Sequence, residues 1–420
     1  MIQPNHTSKI HTDSFETNSG EEITCSVYSS FQEIADLREE WDSFVESAQG
    51  DIFLTFDWCR LWWQYYGSGR ELRLYIFRNS CEIVGIIPFF FEKVWLCFIF
   101  IRVGKIVGSD FTLAQFSLPI RPQYLDLCVR CFLEAIKPIH WHLLSIGPLA
   151  GLSANTEALK NALCRFSNNA ERITIRDEGV QTYYKLQPTW EKYLASLGKR
   201  HRQEIVHKYR ELGRTTSNGL ADLKVIPADE KNLNSFFKAF VDLHEAHWRK
   251  LGKLGHFGDW PAAFDFHRDM AVFQLARGRL RLLGIHLRSD VLGYEYAYKF
   301  GDKYYGILNA RTEDNIYNKI GIGAIIHSEH VKGGISEKIA YIDSMRGKYE
   351  HKLRLGGELF TMKNISVIKK GIINSFCVNL FRMFTIILDF MYYRIWFRRI
   401  APKLPFKRRP LWKLWIRTRL

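Results

Sequence analysis

Apolar and polar positions fall into two rhythms along this chain. Leu233, Phe236, Phe237, Phe240 and Leu243 recur at three- and four-residue spacing, which predicts an amphipathic helix. A second helix follows in "WPAAFDFHRDMAVFQLARG", with Pro261 suited to its first turn and Gly278 to its exit. Three strand-like runs come next, "RLRLLGIHLR", "VLGYEYAYKF" and "KYYGILNA", joined at Ser-Asp and Gly-Asp pairs. "YNKIGIGAIIHSEHVKGG" reads as a helix with glycines towards both ends, and "KIAYIDS" as a further strand. With the short strand "LKVIPA" in front, the order is β-α-α-β-β-β-α-β, closed by a short helical piece.

The first half repeats that order more roughly. "TCSVYSS" is a strand, and "FQEIADLREEWDSFVESA" and "FDWCRLWWQYYGSG" are helices. "LRLYIFR" and "CEIVGIIPFFFEK" form a hairpin; a helix near 122–137 and the strand "WHLLSIG" follow. The run "IIPFFFEKVWLCFIFI" is broken by Pro88, Glu92 and Lys93 and is too short to span a bilayer, so it reads as two buried strands joined by a charged turn. "TWEKYLASLGKRHRQEIVHKYRELGR" reads as one long basic helix between the halves, over 189–214. The fold class expected is α/β, with two related tandem modules, each a mixed, mostly antiparallel sheet flanked by helices. The expected boundaries are a loose polar tail over 1–22, a first module over 23–186, a basic linking helix over 187–222, a second module over 223–360 and a tail over 361–420.

Charge changes the picture mainly at that tail. The net charge is +15, yet thirteen Lys or Arg and a single acid, Asp389, lie between Asn364 and Leu420. The stretch 372–397 is strongly apolar, but its longest uncharged run is too short to cross a membrane. Trp412 and Trp415 then stand among basic residues, the composition of an interfacial anchor on an anionic inner leaflet. Packing on the protein's own surface and nucleic-acid binding are the alternatives. The scattered cysteines suggest no disulfide framework and fit a reducing cytosol. Cys128 and Cys131 form a lone CxxC, and "HEAH" is not the HExxH pattern, so no metal site is expected. The N-terminal stretch has no apolar core of a signal peptide.

Five blocks stand in an order that carries a resemblance. They are Trp41 with "FLTFDWCRLWWQYYG", "EIVGIIPFFFEK" with "VGKIVGSD", "LGKRHRQEIVHKYREL", "LHEAHWRKLGKLGHF" and "YIDSMRGKYEHKLRLGG". Over about 25 to 357, the chain resembles the GNAT-type acetyltransferases associated with cellulose and exopolysaccharide biosynthesis, which are related to Fem-type peptidoglycan aminoacyl transferases. The resemblance implies two tandem acyl-CoA N-acyltransferase folds, the second catalytic.

Acyl transfer needs a phosphate cradle, a base and an oxyanion donor. Asn318, Gly321 and Gly323 fall at the positions of the family's pyrophosphate loop, where backbone N–H groups would hold acetyl-CoA or another acyl-CoA. Glu295 alternates with Tyr294, Tyr296 and Tyr298, so it faces either a cleft, as a base, or solvent. His244, His247 and Trp248 line either the substrate or a solvated helix face. Asp343, Arg346 and Tyr349 form a candidate site rim, with Tyr349 the candidate acid for the leaving thiolate. Lys352 falls out of step with the family's Tyr-Lys pair. Arg200 and Arg202 either recognise a phosphorylated substrate or face solvent. The expected function is acyl transfer to an amine, on an amino sugar of a polysaccharide precursor. A Fem-like transferase using charged tRNA is the alternative enzyme, and a membrane scaffold of a polysaccharide synthase the alternative class. The expected location is cytoplasmic, at the inner membrane face.

Overall fold

A computed structural model describes residues 11–16, 22–96, 99–110, 114–153, 155–167, 171–404 and 409–420. The expected tail over 1–22 therefore lies largely outside the described residues. The chain divides into two compact units. Unit 1 joins Met1–Gly179 to Thr361–Leu420, and unit 2 is Val180–Phe360.

In chain order, unit 1 begins with β1 (His11–Glu16), β2 (Glu22–Tyr28), α1 (Arg38–Ser47) and α2 (Phe56–Tyr66). There follow β3 (Glu71–Asn79), β4 (Glu82–Leu96), β5 (Ile99–Ile106), α3 (Leu125–Ile136), β6 (Leu143–Leu149), α4 (Asn155–Phe166) and the first part of β7 (Glu171–Lys185). Unit 2 takes the rest of β7 and adds α5 (Trp190–Ser196), α6 (Lys199–Gly213), β8 (Leu223–Pro227), α7 (Leu233–Lys250), α8 (His256–Asp259) and α9 (Ala263–Ala276). It continues through β9 (Leu280–Leu287), β10 (Asp290–Phe300), β11 (Lys303–Arg311), α10 (Asn315–Ile320), α11 (Ile322–Ser336), β12 (Tyr341–Arg346) and α12 (Glu350–Arg354). Strand β13 (Glu358–Lys369) leads back into unit 1, where α13 (Ile372–Ile387) runs on as wider helical turns to Ile400 and α14 (Trp412–Thr418) follows.

The two units share one sheet plan. In unit 2, β8, β9, β10 and β11 are antiparallel neighbours. Next comes a parallel step from β11 to β12, and β12 pairs antiparallel with β7. Unit 1 repeats this with β2, β3, β4 and β5, a parallel step to β6, and then β13. The mostly antiparallel, helix-flanked architecture expected from the alternating patterns is thus present in both units.

Each parallel step lasts three residue pairs. Val103 to Lys105 face Leu143 to Ser145 in unit 1, and Lys303 to Tyr305 face Tyr341 to Asp343 in unit 2. Beyond them the strands part. In unit 1 the opening is filled by residues 114–121. Phe116 exchanges backbone bonds with Pro148 and Ala150 at 2.8 and 2.9 Å, while Ile86 N–H reaches Pro119 and Arg121 N–H reaches Val84. In unit 2, among the described residues, no backbone hydrogen bond joins Gly306–Arg311 to Ser344–Arg346.

Three expectations change. Glu92 and Lys93 make no turn: they sit inside β4, opposite Val103 and Arg102. Glu92 is tolerated there because cations surround it. Arg70 Nη2 lies 3.2 Å from Glu92 and 2.5 Å from Asp110; Lys105 Nζ lies 3.2 Å from Asp110 and 3.7 Å from Glu92. All four side chains are buried. Burial pushes the Asp110 carboxyl up, but Arg70 and Lys105 outweigh it and hold the group below the usual carboxylate range. Second, the basic helix breaks at Leu197 and Gly198, both extended, and its two parts belong to unit 2. Third, the basic tryptophan segment packs on its own unit. Trp412 and Trp415 are buried, and Trp415 stacks on Tyr393 at 4.1 Å. Arg417 bonds Ser68 O at 2.8 Å and lies 3.3 Å from Glu92.

Removing one partner of a buried charge cluster strands the others. Arg70→Met should cost about 3–5 kcal/mol, read as a lower urea midpoint by tryptophan fluorescence.

Candidate active site

The site is built where β11 and β12 part. β10 is the antiparallel neighbour of β11, and its alternation puts Tyr294, Tyr296 and Tyr298 on one face and Glu295 on the other. Tyr296 and Tyr298 are buried with their hydroxyls bonded to each other. Glu295 is 8% exposed and has no hydrogen-bond partner among the described residues. Burial pushes its carboxyl up to about 8. The sequence left a cleft and solvent open for Glu295; the side chain points inward.

Gly306 makes the room. A Cβ at Gly306 would stand 3.6 Å from Glu295 Oε1 and 3.4 Å from Asp343 O. The carboxyl therefore sits beside the last paired residues of the parallel step. A register shift between Tyr296 and Ala297 marks a bulge opposite, where Ile307 is passed over. From β7, Tyr184 lies within electrostatic reach of Glu295, and its own proton is held mainly by burial. Its ring packs on His327 of α11 at 4.3 Å. Burial keeps His327 neutral, down at about 3.

The loop residues take three different places. Asn318 lies in α10, and its carbonyl accepts from Gly321 N–H at 3.1 Å. Gly321 turns the chain at φ +83 between α10 and α11, a conformation that favours glycine. Gly323 is in the first turn of α11. The expected loop opening a helix thus carries a short extra helix ahead of it. Cations flank the turn. A Cβ at Gly321 would meet Lys208 Cε at 2.8 Å, and one at Gly323 would lie 3.6 Å from Arg311 Nη1. Lys208 comes from α6 and also bonds Glu204.

His244 and His247 have different roles. His244 is buried, and its Nδ1 lies 2.9 Å from Asn309 O. A carbonyl only accepts, so Nδ1 carries the proton, and Nε2 accepts from His256 Nδ1 at 2.9 Å. Burial lowers His244 to about 4, so it is neutral near pH 7. Asn309 is the register partner of Glu295, which ties His244 to the site through the strand backbone. His247 turns instead to Glu313, at 2.5 Å, which also holds Lys250. Trp248 lies against His256, ring centroids 5.5 Å apart.

At the end of β12, Asp343 is fully buried. It accepts from Met345 N–H at 2.8 Å and Gln181 Nε2 at 2.7 Å. Met345 has φ +60, so Asp343 braces the bulge between itself and Arg346. Lys352, out of step with the family pattern, is the tie that holds this corner. Its Nζ donates to Ser344 O at 2.5 Å and Arg346 O at 3.2 Å, and burial lowers it to about 8. Tyr349 is 54% exposed and stacks on His351 at 5.6 Å. Arg346 is half-buried at the strand's end. Arg200 lines a 230 Å³ cavity with His201, Glu204, Glu350 and Arg354; Arg202 is not among the lining residues.

The structure thus gathers Glu295, the Asp343 backbone and, through Asn309, His244. His247 pairs with Glu313, Tyr349 stacks on His351 and Arg200 lines its own cavity, so their contacts are with other groups of unit 2. Sequence reasoning missed Gly306, Tyr184, His327 and Arg311. The glycine inside "KYYGILNA" was the available signal, because a strand glycine often marks close approach. Among the described residues, no three His, Cys, Asp or Glu side chains gather as a metal site.

Residues 199–353 match the family model described as "Acetyltransferase (GNAT) domain". No curated protein matches the sequence. Among solved structures, the crystal structure of FemX is similar at TM-score 0.56 and 11% identity, over 78% of this chain and 95% of that one. A conserved protein of unknown function from Bacteroides thetaiotaomicron follows at 0.49 and 14%, over 80% and 97%. L-PGS from Bacillus licheniformis stands at 0.45 and 10%, over 82% and 95%. The likeness to FemX is one of fold. That matched stretch lies within unit 2, and on the ground of its match to the acetyltransferase model the chain is an acyltransferase.

The raised Glu295 carboxyl has a measurable sign. Between about pH 4.5 and 8 the folded chain keeps a proton that the unfolded chain has lost. Its contribution is complete below about 4.5 and is lost as pH rises towards 8. Glu295→Gln should therefore lose less stability than the parent across that window, measured as denaturation midpoints at its two ends.

Proposed function

We propose that unit 2 transfers an acetyl or similar acyl group from coenzyme A to an amine at the opening between β11 and β12. The observation that carries this reading is the lone buried carboxyl of Glu295 at the point where the two strands part. Glu295, once ionised, takes the proton from the attacking ammonium or amine. The amine then attacks the thioester carbonyl, and backbone N–H groups on the parted strands are the oxyanion donors available to it. The C–S bond breaks, and the thiolate takes a proton from Tyr349 at the rim. The turn at Gly321 and Gly323, with Lys208 and Arg311 beside it, suits the pyrophosphate of the donor. Asn318 contributes there through its backbone.

His244 and Asp343 act as positioning residues for β11 and β12. Arg346, His247 and Trp248 are the candidates for acceptor contacts. Arg200 and Arg202 supply cations for a phosphorylated acceptor, which fits an amino sugar on a precursor of cellulose or another exopolysaccharide. The division of labour follows the two openings: unit 2 acts, and unit 1, with its opening filled, supports. The reaction takes place in the cytoplasm, on the inner face of the membrane. A second reading, an aminoacyl group delivered by charged tRNA, is favoured by the FemX-like fold and the basic face of α6.

Calorimetry separates the two donors. Acetyl-CoA should bind saturably, and Gly321→Trp should abolish it, because any Cβ there meets Lys208. Binding of charged tRNA in its place would move the assignment to the second reading. In turnover assays, Glu295→Gln should lower kcat about a hundred- to ten-thousandfold. The parent's kcat/KM should rise with pH towards about 8. Tyr349→Phe with unchanged turnover would remove Tyr349 from the acid step.

A further inference from the structure

Helix α13 and its continuation to Ile400 have two unlike faces. The inner face belongs to the core of unit 1. Val378 and Phe381 are fully buried there against Val94, Ile101, Val103, Leu143 and Ile368. The outer face is bare. Ile372 is 91% exposed and Phe376 65%, and Met383, Ile386, Phe390 and Met391 continue the exposed stripe. Steps of three, four and seven residues keep Ile372, Phe376, Met383, Ile386 and Phe390 on one side of the helix, with the exposed Asn379 among them, for about 27 Å at 1.5 Å per residue. A contiguous apolar patch of this kind marks an interaction surface.

The charges say what covers it. The charged residues between Ile372 and Met391, Arg382 and Asp389, are half-buried. Asp389, the acid of the segment, is taken up by Arg394 at 2.8 Å and Trp415 Nε1 at 3.4 Å. Exposed cations bracket the stripe instead: Lys370 before it, and Arg394, Arg398, Arg399 and Lys403 after it. A second copy of the chain would bring like charges together at both ends. An anionic lipid surface accepts the apolar stripe among its acyl chains and the cations among its headgroups.

We infer that the outer face of α13 lies in the plane of an anionic lipid monolayer and anchors the protein there. The inference rests on the peripheral location proposed above and names the surface responsible. It narrows the sequence expectation, which assigned the anchor to the basic tail over 361–420; the tryptophans of that tail, Trp412 and Trp415, are buried in unit 1. It also decides against a span. Ile372–Lys403 is long and apolar enough to cross a bilayer by length and composition. Crossing would pull Val378 and Phe381 out of the core they complete, whereas lying flat leaves that core intact.

The test is flotation of the full chain with vesicles of phosphatidylcholine, with and without phosphatidylglycerol. The parent should float with the anionic vesicles, and the double variant Phe376→Asp, Ile386→Asp should float at least about tenfold less. Arg398→Glu with Arg399→Glu should weaken binding to anionic vesicles and remove the preference for them. Both substituted positions of the first variant are exposed, and an unchanged melting temperature confirms its fold. Equal flotation of parent and double variant overturns the α13 face while leaving a peripheral location standing. A parent that floats with neither vesicle overturns both. A parent that is dimeric by light scattering, does not float and becomes monomeric in the double variant assigns the face to a second copy. A membrane-bound parent that resists alkaline extraction overturns the in-plane seating.

Discussion

Two parallel strands that pair over three residues and then part impose the constraint on which the rest of this structure turns. Backbone groups beyond the last pair have lost their neighbour and must find another partner or meet water. Unit 1 closes its opening from within, using residues 114–121 as a wedge of backbone. Unit 2 leaves the backbone there unbridged among the described residues, and Gly306 keeps side-chain bulk out. One sheet plan thus yields a closed module and an open one.

The two units also surround a buried glutamate differently. Burial raises the Glu92 carboxyl, and Arg70, Lys105 and Arg417 beside it oppose that rise. Glu295 has no such cation to oppose burial, and its carboxyl is pushed up to about 8. The first arrangement is a cross-brace for packing. The second is a group poised near the pH at which a base works, which is why the proposed chemistry belongs to unit 2.

Periodicity made most of the fold legible. The 3/4 spacing in α7 and the alternation in β9, β10 and β11 each matched an element, because both follow from one buried face. Two kinds of feature stayed hidden. Glu92 read as part of a turn because its partners Arg70 and Lys105 are distant in sequence or carry no signal of burial. The basic helix read as continuous because Leu197 is compatible with helix, and only the tertiary packing of Tyr193 and Leu197 in unit 2 explains the break. The site was half legible for the same reason. Glu295 and the glycines stand out by local pattern, whereas Tyr184 reaches the site from a strand that precedes the matched domain by sequence. Asp343 and Lys352 were visible as charges, but their task, bracing the end of β12, is set by backbone geometry.

Unit 1 is assembled from chain lying on both sides of unit 2, with β13, α13 and α14 supplied after it. On the ribosome this fixes a timetable. Val180–Phe360 emerges as one uninterrupted stretch and can condense as soon as it is out. Strand β6 meanwhile waits for β13, and Glu92 and Lys105 wait for Arg417. The nascent chain therefore carries a finished second half beside an unsealed first half. That interval, with apolar sheet surface and uncompensated charge both open to water, is when the protein most needs protection from aggregation.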